Sequence, residues 1–167
     1  MKHFLFSIFV LFSMLVNAQK NYSVLNDENG NLILKGIITE QDLKKETSFQ
    51  WFHQNQIDYE PSPAIVSSFK KINSHITFVI FGGTWCEDTQ FILPRFFKLL
   101  TLSNTPESAI TLLAVDRNKE TIGNLSSVFS IKNVPTIIVL KDGIEVGRII
   151  EYGKSGKWDE ELTQLIK

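Results

Sequence analysis

The stretch Ile76-Thr77-Phe78-Val79-Ile80-Phe81-Gly82-Gly83-Thr84-Trp85-Cys86-Glu87-Asp88-Thr89 decides the fold. Ile76 to Phe81 is a continuous apolar run, the pattern of a strand buried on both faces of a sheet, and Gly82-Gly83 ends it. From Asp88 the periodicity is helical. Ile92, Phe96, Leu99 and Leu100 share one stripe, interrupted by Pro94, which removes a backbone donor. Cys86, the chain's one cysteine, therefore stands where a buried strand hands over to a helix.

Working outward toward the C-terminus, Ile110 to Val115 reads as a second buried strand. Ile122, Leu125, Val128 and Phe129 read as a short amphipathic helix, and Thr136 to Leu140 as a third strand. Asp142-Gly143 is a hairpin signal leading into Ile144 to Tyr152, and Trp158, Leu162, Leu165 and Ile166 mark a closing helix. Toward the N-terminus, residues 22–38 predict two short strands around Asn26 to Asn31, where Asn29-Gly30 tolerates the positive φ of a tight turn. Thr39 with Asp42 starts a capped helix running through LKKETSFQWFHQNQ, with Leu43, Trp51 and Phe52 on one face. Tyr59 to Pro63 stops it, and a further helix, about Ala64 to Ile72, carries Ile65, Phe69 and Ile72. The expected architecture is α/β, a mixed central sheet with helices on both faces.

Composition narrows the function. The 167 residues hold 17 Lys+Arg against 18 Asp+Glu and 43% hydrophobic residues, which suits one globular domain and gives no basic surface for nucleic acid. One cysteine excludes an internal disulfide and any metal site built on two thiolates. His53 and His75 have no partner histidine or carboxylates at ligand spacing and read as structural, so neither metal nor cofactor is expected. Gly82-Gly83 alone does not make a phosphate loop.

From about Pro61 onward the chain resembles the thioredoxin superfamily. Trp85-Cys86-Glu87-Asp88-Thr89 stands where that family carries Trp-Cys-x-x-Cys, and Pro94 matches the proline eight residues after the first cysteine. Val134-Pro135-Thr136 matches the cis-proline loop opposite the active site, and Gly143 and Gly153 match later glycines. The resemblance implies a thioredoxin-like domain over 61–167, preceded by a hairpin and helix extension over 19–60. Two departures matter. Thr89 replaces the second cysteine, and Ile80 replaces the family's buried acid, so an internal active-site disulfide is impossible.

What remains is one-thiol chemistry. At a helix N-terminus, free N–H groups and the helix dipole favour the Cys86 thiolate, and the Thr89 hydroxyl is expected to turn toward the sulfur. The first-turn carboxylates Glu87 and Asp88 oppose the charge. By the resemblance, Trp85 lies beside the thiol, and Val134 and Pro135 receive a partner strand through backbone hydrogen bonds. The expected function is a thiol–disulfide oxidoreductase acting as a monothiol through Cys86 and Thr89. Its partners would be disulfide- or thiol-containing proteins or small thiols, with an external thiol releasing the mixed disulfide. The alternative is a non-catalytic binding module that uses the cis-proline face. A peroxidase of the peroxiredoxin type is disfavoured because Gly83 occupies the position where it needs Thr. Copper delivery needs a second cysteine.

Residues 1–18 show Lys2, an apolar run from Phe4 to Val16, and Val16-Asn17-Ala18 before Gln19, the pattern of a secretory signal peptide. The run is shorter than the roughly 20 residues of a membrane span. Export to a periplasmic or extracellular location is expected, with no span in the mature chain. Cleavage after Ala18 would leave Gln19 first and change the formal net charge from -1 to -2 by removing Lys2. Intact-mass measurement of the exported protein checks this, and a product retaining Met1 to Ala18 would contradict it.

Overall fold

The computed structural model describes residues 21–72 and 75–167; residues 1–18, where a signal peptide is expected, lie outside them. The elements are β1 (Tyr22–Asn26), β2 (Leu32–Ile38), α1 (Glu40–Lys45), α2 (Gln50–Ile57), α3 (Pro63–Phe69), β3 (Ile76–Gly82), α4 (Glu87–Ser103), β4 (Ile110–Ala114), α5 (Leu125–Val128), β5 (Thr136–Lys141), β6 (Ile144–Ile150) and α6 (Trp158–Leu165). They form one six-stranded sheet in the order β1-β2-β4-β3-β5-β6. The β3–β4 pair is parallel and the other pairings are antiparallel.

Local chemistry sets most boundaries. Thr39 and Asp42 form the capping box that starts α1. Ser62 caps α3 with Pro63 in its first turn, where a missing N–H costs nothing. Asn104, at φ 57°, ends α4 in the left-handed conformation. Asp142 and Gly143, at φ 52° and 78°, make the β5–β6 turn, whose twist suits a two-residue hairpin.

The sheet divides the core into two layers. Phe78 and Ile80 of β3 point to one side, where Leu43, Phe52, Phe69, Phe96 and Leu162 bring α1, α2, α3, α4 and α6 together. Val79 and Phe81 point to the other, where they meet Leu113, Val115 and Ile138 under Leu125 and Phe129 around α5. Helices thus lie on both faces, though unequally. On the first face Phe78 stacks on Phe69 at 6.3 Å and meets Phe96 edge-on at 5.4 Å.

Two expected helices differ in the structure. The one predicted from Thr39 to beyond Trp51 is two, α1 and α2, because Glu46 is extended at φ -82°, ψ 114°. The Glu46 carboxylate accepts the Ser48 N–H at 3.3 Å, so local side-chain bonding replaces the helical ladder at this point. The segment with Ile122, Leu125, Val128 and Phe129 forms one turn rather than an amphipathic helix. Ile122 and Val128 are 45% and 69% exposed, whereas Leu125 and Phe129 pack on the core.

The N-terminal hairpin is part of the sheet and also overhangs it. The last β2–β4 pair on the site side is Gly36 with Ala114, so Leu32 to Lys35 continue past the end of β4. Four extended residues reach roughly 13 Å beyond it. Lys35 Nζ holds the Asp116 carboxylate at 2.7 Å, and Arg117 pairs with Asp27 of the hairpin turn at 2.6 Å. The hairpin thereby becomes one wall of the region around Trp85.

Phe96, wholly buried among Phe78, Phe97 and the first-face core, should be expensive to truncate: Phe96→Ala is expected to lose about 3–5 kcal/mol of unfolding free energy. Val24→Ala, at a 49% exposed position of the edge strand β1, should change it by less than about 0.5 kcal/mol. Urea denaturation of the two variants checks the contrast.

Candidate active site

The junction between β3 and α4 is built on two residues without side chains. A Cβ on Gly83 would lie 2.7 Å from the Trp85 ring, and one on Gly82 would lie 2.9 Å from the Thr89 methyl group. Both contacts are tighter than packed carbon atoms allow, so Trp85 and Thr89 sit in space that only glycine leaves open. The chain then turns: the Cys86 N–H donates to the Gly83 carbonyl at 2.9 Å, and Cys86 becomes the N-cap residue of α4.

Cys86 is partly exposed. Its thiol donates to the carbonyl oxygen of Val134 at 3.2 Å, across from the first turn of α4. The Val134–Pro135 peptide is cis, and both residues are buried. The Pro135 carbonyl accepts the Glu151 N–H at 2.8 Å, which ties this loop to the end of β6. Trp85, Cys86 and Val134 thus meet at the edge of the second-face core.

Thr89 is 1% exposed, and its hydroxyl oxygen accepts the Gly83 N–H at 3.2 Å. The hydrogen bond made by the thiol is with Val134, not with the Thr89 hydroxyl expected from the sequence, because the Gly82-Gly83 turn brings an amide within Thr89's reach. Thr89 acts here as a brace for the junction. Ile80 is fully buried in the first-face core.

Several neighbours were not legible in the sequence. The Trp85 indole N–H donates to the Val115 carbonyl at 3.0 Å, and the Arg117 guanidinium lies 5.3 Å over the ring. Leu34 of β2 donates its N–H to the Thr84 hydroxyl at 3.2 Å, while the Gln90 amide donates to the Thr84 carbonyl at 2.8 Å. Asn55 of α2 donates to the Gln90 carbonyl at 3.1 Å and accepts from Arg95 at 2.7 Å. Each joins residues at least 30 apart or lies within an irregular turn, and periodicity carries no information about either.

On the opposite flank, Tyr152 packs against Phe91 at 5.5 Å, with the Asp88 carboxylate beside its hydroxyl. Burial, and then the Asp88 charge, raise the Tyr152 hydroxyl above its usual range. Arg95 lies 3.5 Å over the Phe91 ring and donates to the Phe91 carbonyl at 2.6 Å. The thiol is thus bordered by Trp85 on one side and by a Tyr152–Asp88 pair on the other. His75 bonds Asp142 at the far end of the sheet, and His53 lies exposed on α2. Among the described residues no three His, Cys, Asp or Glu side chains gather as metal ligands. No helix among them is long and apolar enough to cross a membrane.

The site carries one sulfur and so cannot close a disulfide on itself. A thioredoxin from Mycobacterium tuberculosis (strain ATCC 25618 / H37Rv) is 35% identical over 79 residues, 47% of this chain and 62% of the thioredoxin. A protein disulfide-isomerase from Datisca glomerata is 25% identical over 100 residues, 59% of this chain and 19% of the isomerase. The chain therefore spans less than two-thirds of either relative. The crystal structure of a protein of unknown function from Pseudomonas aeruginosa shares the fold, with a TM-score of 0.50 at 18% identity over 78% of this chain and 86% of that one. The family profile described as thioredoxin matches residues 26–158, and on that match the chain belongs to the thioredoxin family.

Proposed function

We propose that the protein is an exported thiol–disulfide oxidoreductase that works as a monothiol through Cys86. The observation that carries this reading is the placement of the chain's one cysteine. It is partly exposed at the N-cap of the seventeen-residue helix α4 and faces the Val134–Pro135 loop, with Thr89 where a second thiol would stand. Export rests on the signal-peptide pattern of residues 1–18.

Two exchanges make a turnover. The Cys86 thiolate attacks one sulfur of a partner disulfide; the new Cys86–S–S bond forms as the partner's S–S bond breaks, and the second partner sulfur leaves as a thiolate and takes a proton. The proton from Cys86 leaves to water on the exposed side, since Ile80, six residues before Cys86, offers no acceptor for it. An external thiolate then attacks the mixed disulfide and frees Cys86. Its sulfur ends in a disulfide with the partner. In this mechanism the Val134 carbonyl releases the thiol as the thiolate forms and becomes available to an incoming backbone N–H, as in strand addition.

The bond from the thiol to Val134 favours the second reading, a non-catalytic binding module, because it is a bond made by the protonated sulfur. Reactivity separates the two. Folded protein treated with a disulfide reagent near neutral pH should modify Cys86 faster than the urea-denatured chain does and hold the adduct. Thr89→Cys should convert that adduct to an internal disulfide and create insulin reduction in the presence of a reductant, and Cys86→Ser should abolish adduct formation in both backgrounds. Slower modification of the folded protein at every pH would leave the binding-module reading in its place.

A further inference from the structure

The overhanging hairpin encloses a cleft of about 330 Å³ beside the thiol, bordered by Trp85, Glu87 and Gln90 on one side and by Asn31, Trp51 and Arg117 on the other. That volume is at the lower end of the roughly 300–1,000 Å³ of ligand pockets and suits one or two side chains rather than a large cofactor. Trp85 and Glu87 are the residues directly before and after Cys86. A chain held by its sulfur at Cys86 therefore passes the mouth of this cleft.

The polar groups around the cleft are biased toward acceptors. The Arg117 guanidinium is committed to Asp27 at 2.6 Å, and that bond, ahead of those from Asn31, holds the Asp27 carboxyl well below its ordinary range. The pair is neutral as a unit. Glu87 is exposed, and among the described residues it makes no ion pair, so it leaves the cleft with one uncompensated negative charge. The Gln90 amide nitrogen donates to Thr84 and the Asn31 amide nitrogen donates to Asp27 at 3.1 Å, which leaves the oxygen of each side chain as an acceptor. The indole of Trp51 adds an aromatic wall, and the Trp85 ring already carries a guanidinium, that of Arg117.

We propose that this cleft is a subsite for a basic side chain, Arg or Lys, near the reacting cysteine of a polypeptide substrate, with Glu87 as the counter-charge and Trp51 as the aromatic wall. The proposal rests on the thiol–disulfide reading for its substrate class and adds a sequence preference to it. The charge of the cleft argues against an acidic peptide, and its polar groups against a purely apolar one.

The test uses peptides with one cysteine activated as a 2-thiopyridyl disulfide and with Arg, Gln or Glu placed in turn at each of the three positions on either side. The rate of Cys86 adduct formation is read from thiopyridone release. Arg should exceed Gln roughly tenfold at one or two positions on one side of the cysteine, with Glu below Gln at the same positions. Glu87→Gln should bring the Arg/Gln ratio close to one, and Glu87→Lys should invert it. Any effect of these changes on the thiol itself scales all peptides alike and cancels in the ratio. Asp88→Asn, which removes the neighbouring charge two residues from Cys86 but outside the cleft, should leave the ratio in place.

In parallel, Cys86→Ser is titrated with the same peptides in alkylated form, following tryptophan fluorescence. Equal rates for Arg, Gln and Glu, or an Arg preference that is independent of position and of Glu87, would overturn the subsite while leaving the monothiol reading intact. If no peptide forms an adduct, the oxidoreductase reading fails by itself. The subsite then stands if Cys86→Ser binds the Arg peptide in a Glu87-dependent way, and falls with that reading if it does not.

Discussion

The close approach of two side chains to the backbone of Gly82 and Gly83 is the constraint on which the site depends. Packing the Trp85 ring 2.7 Å from where a Cβ would stand, and the Thr89 methyl 2.9 Å from another, leaves no room for adjustment at either position. Overpacking in such a place costs about 1–3 kcal/mol and is relieved by moving whichever group is least held. Thr89 is held by its bond to the Gly83 amide and Trp85 by its bond to Val115, so relief would have to come from the junction itself. The position of the Cys86 sulfur over Val134 is inherited from that turn.

The N-terminal segment changes what surrounds this junction. Because β2 pairs antiparallel with β4 and runs past its end, a backbone N–H from Leu34 reaches Thr84, and a carboxylate from Asp27 reaches Arg117 above Trp85. These bonds are individually modest, about 1 kcal/mol each for neutral groups. Their importance is geometric: they tie the hairpin and the Arg117 loop, which local sequence leaves independent, to Thr84 and Trp85, the two residues before the thiol. Asn55 does the same from α2 by bonding both Gln90 and Arg95 of α4. The face of α4 that carries Glu87 and Gln90 therefore meets the hairpin wall, while the face that carries Asp88 and Phe91 meets Tyr152.

The parts of this arrangement legible in the sequence are those governed by short-range periodicity. Ile76 to Phe81 reads as a two-sided strand because both layers of the core need its side chains, and the stripe Ile92, Phe96, Leu99, Leu100 reads as a helix because one face of α4 is buried throughout. The split between α1 and α2 was hidden because Leu43 and Phe52 are both buried and so look continuous, while the break is made by a side-chain bond at Glu46. The turn at α5 was overestimated for the opposite reason: Ile122 and Val128 have helical spacing but are largely exposed. At the site, the residue types at 85, 86, 89, 134 and 135 marked the place. Which group meets the sulfur was decided by a glycine amide that captures Thr89 and by a loop 48 residues away.

A single thiol with Ile80 six residues before it and two carboxylates directly after it defines the charge around the site. In a dithiol site the second sulfur attacks the mixed disulfide and releases the partner within one molecule. At the start of α4, Glu87 faces the hairpin cleft and Asp88 lies beside Tyr152. The two carboxylates are adjacent in sequence yet differ in surroundings, since one has a hydroxyl partner and the other is open to an incoming group. A partner that brings a positive charge to Glu87 meets its counter-charge there, and one that brings a negative charge is repelled. On this geometry the open carboxylate directly after the thiol is the group that would tell basic partners from the rest.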